Sequence, residues 1–220
     1  MKPSRSRSDV DWRCYLVTSG FGRETVEKAA AAAAAGAGVV QVRLKDATTR
    51  ELLAFTIEVA TSVAAVAPST RVLVDDRADV AFAAMHTGHP VHGVHLGWDD
   101  LPAAEARAML GPDAIIGLTT GTLPLVEAAD ELADIIDYVG CGPFRRTPTK
   151  DSGREPLGVE GYPPLVAATS LPLVAIGDVT PNDVPGLAEA GVAGVALVRA
   201  IMDAPDPSSV VQQVLAGFRH

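Results

Sequence analysis

The chain has 220 residues, of which 48% are hydrophobic, and a formal net charge of −9; that length suits one domain with a large buried core. Its negative field opposes non-specific nucleic-acid binding, so any polyanionic substrate needs a local cluster of cations, and the placement of each Lys and Arg becomes informative. No apolar run reaches the roughly 18 residues of a membrane span, and the basic, polar start (Met1-Lys-Pro-Ser-Arg-Ser-Arg-Ser8) lacks the apolar stretch of a secretory signal.

From the N-terminus, residues 1–11 read as a flexible basic tail ahead of a domain over 12–220. A strand is expected at 14–18, then a helix at 24–36 through an alanine run. The second strand, 39–43, carries Gln41 and Arg43 with Lys45 just beyond. The helix at 48–66 opens on Thr48 with Glu51 three residues on, a capping-box spacing. Strand 71–74 runs into Asp75 and Asp76, and helix 77–86 follows. Strand 91–96 leads to Asp99 and Asp100, with Pro102 set in the first turn of a helix at 102–110. Strand 115–118 ends at Thr119 and Thr120, before a helix at 123–133. Strand 138–141 opens the longest loop, 142–158, which holds Thr147, Thr149 and Lys150 and precedes a helix at 159–168. Strand 173–176 ends at Gly177, Thr180-Pro181 starts a helix near 182–190, strand 194–198 ends at Arg199, and a last helix spans 208–217.

Eight strands alternating with eight helices predict an α/β fold, a single (β/α)₈ TIM barrel with a parallel eight-stranded core. The strands are near-continuous apolar runs, as burial on both faces requires. A doubly wound open sheet is the alternative. In a barrel the residues after each strand converge on one rim, where active sites form. Here that rim gathers Arg43, Lys45, Asp75, Asp76, Asp99, Asp100, Thr119, Thr120, Thr147, Thr149, Lys150, Gly177 and Arg199. Carboxylates on two loops suit Mg²⁺, which takes one or two of them plus substrate phosphate oxygens. Arg43 and Lys45, two residues apart at a strand end, point the same way and can grip one diphosphate. Thr147 and Thr149 can donate to phosphate oxygens, with Lys150 as a movable point charge. A short helix beginning near Val198-Arg199 would offer amides to a second phosphate.

Other chemistries find less support. His86, His89, His92 and His95 straddle a loop and a strand, so they do not share one face as a zinc site needs. The aromatic residues are too few and scattered for base stacking, and no Walker A or dinucleotide fingerprint is present. Cys14 and Cys141 fall in apolar runs without CxxC spacing; they read as small buried thiols, in keeping with a cytoplasmic protein.

Six landmarks occur in order: Val40-Gln-Val-Arg-Leu-Lys-Asp46; Val74-Asp-Asp-Arg-Ala-Asp79; Gly93-Val-His-Leu-Gly97 with Asp99-Asp100-Leu-Pro102; Asp137-Tyr-Val-Gly-Cys-Gly-Pro143 with Thr147-Pro-Thr-Lys150; Val174-Ala-Ile-Gly177; and Gly194-Val-Ala-Leu-Val-Arg-Ala-Ile201. Through them the chain resembles the thiamine-phosphate synthase (thiamine-phosphate pyrophosphorylase) family over nearly the whole barrel. The resemblance implies a transferase that condenses a hydroxymethylpyrimidine diphosphate with a thiazole phosphate, releasing diphosphate. It implies small-molecule substrates, a Mg²⁺ cofactor, and no nucleic-acid or membrane partner; it leaves homo-oligomerisation open. Gln41, Arg43 and Lys45 match the family's pyrimidine-diphosphate contacts, and Asp76 and Asp100 its magnesium ligands. Thr119 stands at a family Ser or Thr, Thr147 and Thr149 at thiazole-phosphate contacts, and Lys150 at a diphosphate contact. Arg43, Lys45, Thr119 and Lys150 are thereby the expected catalytic residues, and Gly177, Asp178, Val198 and Arg199 the expected thiazole-phosphate wall.

Several positions depart from the family's pattern. Asp75 replaces the usual Asn, Trp98 the usual Gln, Gly121 a common His, Asp178 the second glycine of Gly-Gly, and Arg199 a frequent Ser. Asp178 and Arg199 are expected to compensate, Arg199 contacting phosphate while Asp178 orients it. Two other functions fit the fold: a thiazole tautomerase, which needs none of the diphosphate machinery, and a non-catalytic barrel that binds thiamine phosphates.

Overall fold

The structure, a computed structural model, describes residues 10–146 and 153–219. Eight parallel strands close into a barrel in sequence order. They are β1 (Cys14–Val17), β2 (Val39–Val42), β3 (Arg71–Asp75), β4 (Gly93–Leu96), β5 (Ile115–Thr120), β6 (Tyr138–Cys141), β7 (Leu173–Ile176) and β8 (Gly194–Leu197). The pairing of β1 with β8, Tyr15 opposite Ala196, closes the ring and excludes the doubly wound alternative. Around it lie α1 (Arg23–Ala34), α2 (Thr49–Val66), α3 (Ala78–His86), α4 (Ala103–Leu110), α5 (Leu123–Asp130), α6 (Tyr162–Ala167), α7 (Val184–Glu189), the short α8 (Arg199–Met202) and α9 (Pro207–Gly217).

Strand alternation divides the core in two. Outward residues such as Leu16, Val40, Val74, Leu96, Ile116 and Val139 pack with the helices into one large apolar cluster. Inward residues Tyr15, Val17, Val39, Leu73, Tyr138, Val174 and Ala196 fill the barrel, with Trp12 plugging its amino end and Val10 packed beside them. Two glycines make room for rings inside this crowded space. A Cβ on Gly117 would lie 2.2 Å from the Tyr138 ring, and one on Gly140 would lie 3.0 Å from the His95 ring.

Helix starts follow the local chemistry. Thr48 caps α2 in a full capping box with Glu51, and Thr180 with Asp183 does the same for a 3-10 turn, 181–183, ahead of α7. Pro102 is the N-cap of α4 rather than a residue of its first turn, so that helix begins one residue later than expected. Asp100 folds back instead, its Oδ2 accepting the Gly97 amide at 2.7 Å. At the opposite end of the barrel Arg107 is clamped between α4 and the strands. It donates to the carbonyls of Ile135 (2.7 Å from Nη2), Gly111 (3.0 Å) and Ala114 (2.5 Å), and to Asp137 Oδ2 at 2.7 Å. Cys14 and Cys141 are buried free thiols, and burial pushes them up to about 12 and about 11. No helix among the described residues is long and apolar enough to cross a membrane.

Candidate active site

The carboxyl ends of the strands surround a cavity of about 820 Å³, within the range of small-molecule sites. Its wall includes Gln41, Arg43, Lys45, Asp75, Asp76, Asp100, Thr119, Gly177, Asp178, Val198 and Arg199, so every candidate residue within the described part of the chain lines it. Thr147, Thr149 and Lys150 lie outside the described residues.

The charged half stands on β2, β3 and the loop after β4. Arg43 Nε lies 3.3 Å from Asp75 Oδ2, and Lys45 Nζ lies 2.7 Å from Asp76 Oδ2 and 3.8 Å from Asp75 Oδ2. Gln41 Nε2 donates to Asp75 Oδ1. Burial pushes the Asp75 carboxyl up to about 6, with the Asp76 charge adding to it and Lys45, Arg43 and Gln41 pulling back. Asp100 is also raised, first by burial and further by the negative charge of Asp76, while the Gly97 amide and Lys45 oppose the shift. Asp76 takes a left-handed backbone, φ 63°, a conformation Asp tolerates better than most side chains.

The opposite half is formed by the ends of β7 and β8. Among the described residues Asp178 is the other non-glycine residue with positive φ, at 57°. Its Oδ1 accepts from Arg199 Nη2 at 2.5 Å, and its carbonyl accepts from Arg145 Nη1 at 3.1 Å. Arg145 is held in turn by both carboxylate oxygens of Asp183. Asp178 and Arg199, expected to act together, are thus ion-paired, and α8 begins at Arg199, separated from β8 by Val198.

Between the halves lies a polar floor that sequence reasoning passed over. Tyr15 donates to Gln41 Oε1 at 2.6 Å and meets the Tyr138 hydroxyl at 2.7 Å. Tyr138 meets His95 Nδ1 at 2.7 Å, and His95 Nε2 lies 3.0 Å from Thr119 Oγ1. Thr119 sits on β5 itself because that strand runs two residues past its expected end. A signal for these residues existed: Tyr15, His95 and Tyr138 are polar side chains on the same inward parity as Gln41 and Asp75. Arg154 carried no such signal, lying in the long loop after β6. It donates to the Thr120 carbonyl at 2.7 Å and lines the cavity, in space that Gly121 leaves open, since a Cβ there would come within 2.9 Å of its Nη1. Trp98 Nε1 donates to the Thr119 carbonyl at 2.7 Å, standing at the mouth.

Two other histidines are engaged away from the cavity. His92 Nδ1 accepts the Val72 amide at 3.0 Å, and His86 stacks on Phe82. Together the fold and the site define a (β/α)₈-barrel enzyme whose polar cavity opens at the strand carboxyl ends.

Residues 14–201 match the family described as thiamine monophosphate synthase. Over 211 residues the chain is 59% identical to the thiamine-phosphate synthase of Corynebacterium jeikeium (strain K411), covering 96% of each chain. It is 56% identical over 213 residues to that of Corynebacterium efficiens, covering 96% of this chain and 97% of the relative. The thiamine phosphate pyrophosphorylase from Pyrococcus furiosus superposes with a TM-score of 0.81 at 26% identity, covering 96% of this chain and 97% of that one. The chain belongs to the thiamine monophosphate synthase family and is, with it, a transferase. Of the three functions that fit the sequence, this is the synthase.

Proposed function

We propose that the cavity joins a 4-amino-2-methyl-5-pyrimidinylmethyl diphosphate to a 4-methyl-5-(2-phosphoethyl)thiazole, giving thiamine phosphate and diphosphate. The observation that carries this reading is the assembly of Arg43, Lys45, Asp75, Asp76 and Asp100 on one rim of the cavity. Two cations beside three crowded carboxylates suit a substrate with several negative charges and a metal counter-ion.

Each group then has a role. Arg43 and Lys45 grip the diphosphate and stabilise its charge as the bond to the pyrimidinylmethyl carbon breaks. The electron pair leaves with the diphosphate, and the thiazole nitrogen forms the new bond to that carbon. No proton is removed in this step, so the site needs alignment rather than a general base. Gln41, Asp75 and Thr119 hold the pyrimidine; Gly177, Asp178, Val198 and Arg199 hold the thiazole phosphate. Thr147, Thr149 and Lys150 complete the phosphate contacts, as the family resemblance implies.

Asp76 and Asp100 fit a magnesium ion. Asp76 raises the Asp100 carboxyl by its charge, and Lys45 supplies one positive charge at Asp76; these two carboxylates would hold a hard dication that relieves the remaining negative charge. When bound, it supplies Lewis-acid stabilisation of the diphosphate oxygens. Buried reduced thiols and the acidic surface suit a cytoplasmic setting.

Turnover of Arg43→Ala and Lys45→Ala with both substrates tests the reading. Losses of about a hundredfold or more, with unchanged thermal unfolding, are expected from removing charge-assisted contacts to a leaving group. Wild-type turnover in both variants would overturn it.

A further inference from the structure

The floor of the cavity is one continuous hydrogen-bonded chain, and donor counting fixes the direction of every link. It runs from Asp75 through Gln41, Tyr15, Tyr138 and His95 to Thr119. An ionised carboxylate only accepts, so Gln41 must turn its amide nitrogen toward Asp75 and its oxygen toward Tyr15. Tyr15 has a single hydroxyl proton, and it is spent on that oxygen at 2.6 Å. The 2.7 Å contact between the two tyrosines therefore takes its proton from Tyr138. Tyr138 has none left for His95, so the 2.7 Å contact to Nδ1 takes its proton from the imidazole.

We infer that Asp75 acts through this chain as a positioning residue, locking His95 in the form protonated at Nδ1. In neutral His95, Nε2 is then an acceptor, and Thr119 donates its hydroxyl proton to it across 3.0 Å. The Thr119 oxygen is left facing the cavity with lone pairs only. It selects a ligand group that donates, such as the exocyclic amine of an aminopyrimidine, and rejects a carbonyl at that place. This last step rests on the function proposed above; the protonation state of His95 does not.

An acceptor-only residue is what makes the direction unique. With Asn at position 75 an amide would face the Gln41 amide, and both could turn over together. Tyr15 would then accept from Gln41 and donate to Tyr138, Tyr138 would donate to Nδ1, and His95 would carry its proton on Nε2. Both directions would be fully hydrogen-bonded, and the lock would be lost.

Nitrogen-15 NMR of the histidine rings in the ligand-free, full-length protein at pH 8 reads this directly, with the His95 signals assigned through a His95→Gln variant. His92 is an internal reference of the opposite kind, because its Nδ1 accepts the Val72 amide. Wild-type His95 is expected to show a protonated Nδ1 and an unprotonated Nε2. In Tyr15→Phe, which touches neither His95 nor Thr119 in this chain of contacts, the two nitrogen shifts are expected to move toward each other as the second tautomer appears. The same movement is expected in Asp75→Asn, which keeps the test open if Tyr15→Phe does not fold. A wild-type His95 protonated at Nε2 and not at Nδ1 overturns the inference. So does a folded variant of either kind whose His95 shifts stay at wild-type values.

Discussion

Asp178 and Arg199 form a 2.5 Å ion pair across the ends of β7 and β8, with Asp178 in a left-handed backbone that glycine more often takes. A carboxylate on a phosphate wall would repel its ligand; bonded to Arg199, it holds a guanidinium there instead. Arg199→Ala should raise the KM for the thiazole phosphate about tenfold, the loss of one charge-assisted contact. Asp178→Asn should raise it less, and the double variant should match Arg199→Ala alone. Steady-state kinetics of the cycle check this; additive effects would show that the two residues act separately.

Asp76 and Asp100 are the proposed metal ligands. Asp76→Ala and Asp100→Ala should each weaken Mg²⁺ binding about tenfold or more, measured by calorimetry with diphosphate present. Mg²⁺ binding unchanged in both variants would place the metal elsewhere.

The clamp at the other end of the barrel predicts a stability effect without a catalytic one. The Arg107 and Asp137 side chains are each 10% exposed and meet at 2.7 Å. Arg107→Met leaves Asp137 a buried charge without its ion-pair partner and should cost about 3–5 kcal/mol in urea unfolding. The KM values of the folded variant should stay at wild type. A loss under about 1 kcal/mol would show that the pair is well screened by solvent.

Stability should also fall with acid through His92. Burial, with the charge of Arg71 adding to it, pushes that imidazole down to about 4. The unfolded chain takes up its proton near the ordinary value of about 6.5. The folded state is thus at full strength above about 6.5, and stability is lost as pH falls from there toward about 4. His92→Asn keeps an acceptor for the Val72 amide but does not titrate. The drop in unfolding temperature between pH 7 and pH 5 should be smaller in that variant than in the wild type; equal drops would remove His92 as a cause.

The barrel was legible in the sequence because its strands are apolar on both faces and its helices carry their own start signals, such as Thr48 with Glu51. Strand ends were less clear. Thr119 and Thr120 extend β5, since a polar residue that faces the cavity looks in sequence like the start of a loop. Arg43, Lys45, Asp75, Asp76 and Asp100 stood out because charge clusters at strand ends have few other uses. The floor did not stand out, because Tyr15 and Tyr138 look like core residues until alternation places them beside Gln41. Histidine spacing raised His95 only as a weak metal candidate; its role came from ring contacts across three strands, which no local pattern encodes. Arg154 reaches the site from a loop, where periodicity says nothing.

The most direct test of the account is conversion itself. Incubating the protein with the pyrimidine diphosphate and the thiazole phosphate, with Mg²⁺ or with excess chelator, should yield thiamine phosphate and diphosphate in equal amounts only when the metal is present. Product formed equally well with chelator would contradict the roles of Asp76 and Asp100, and no product under either condition would contradict the proposed reaction.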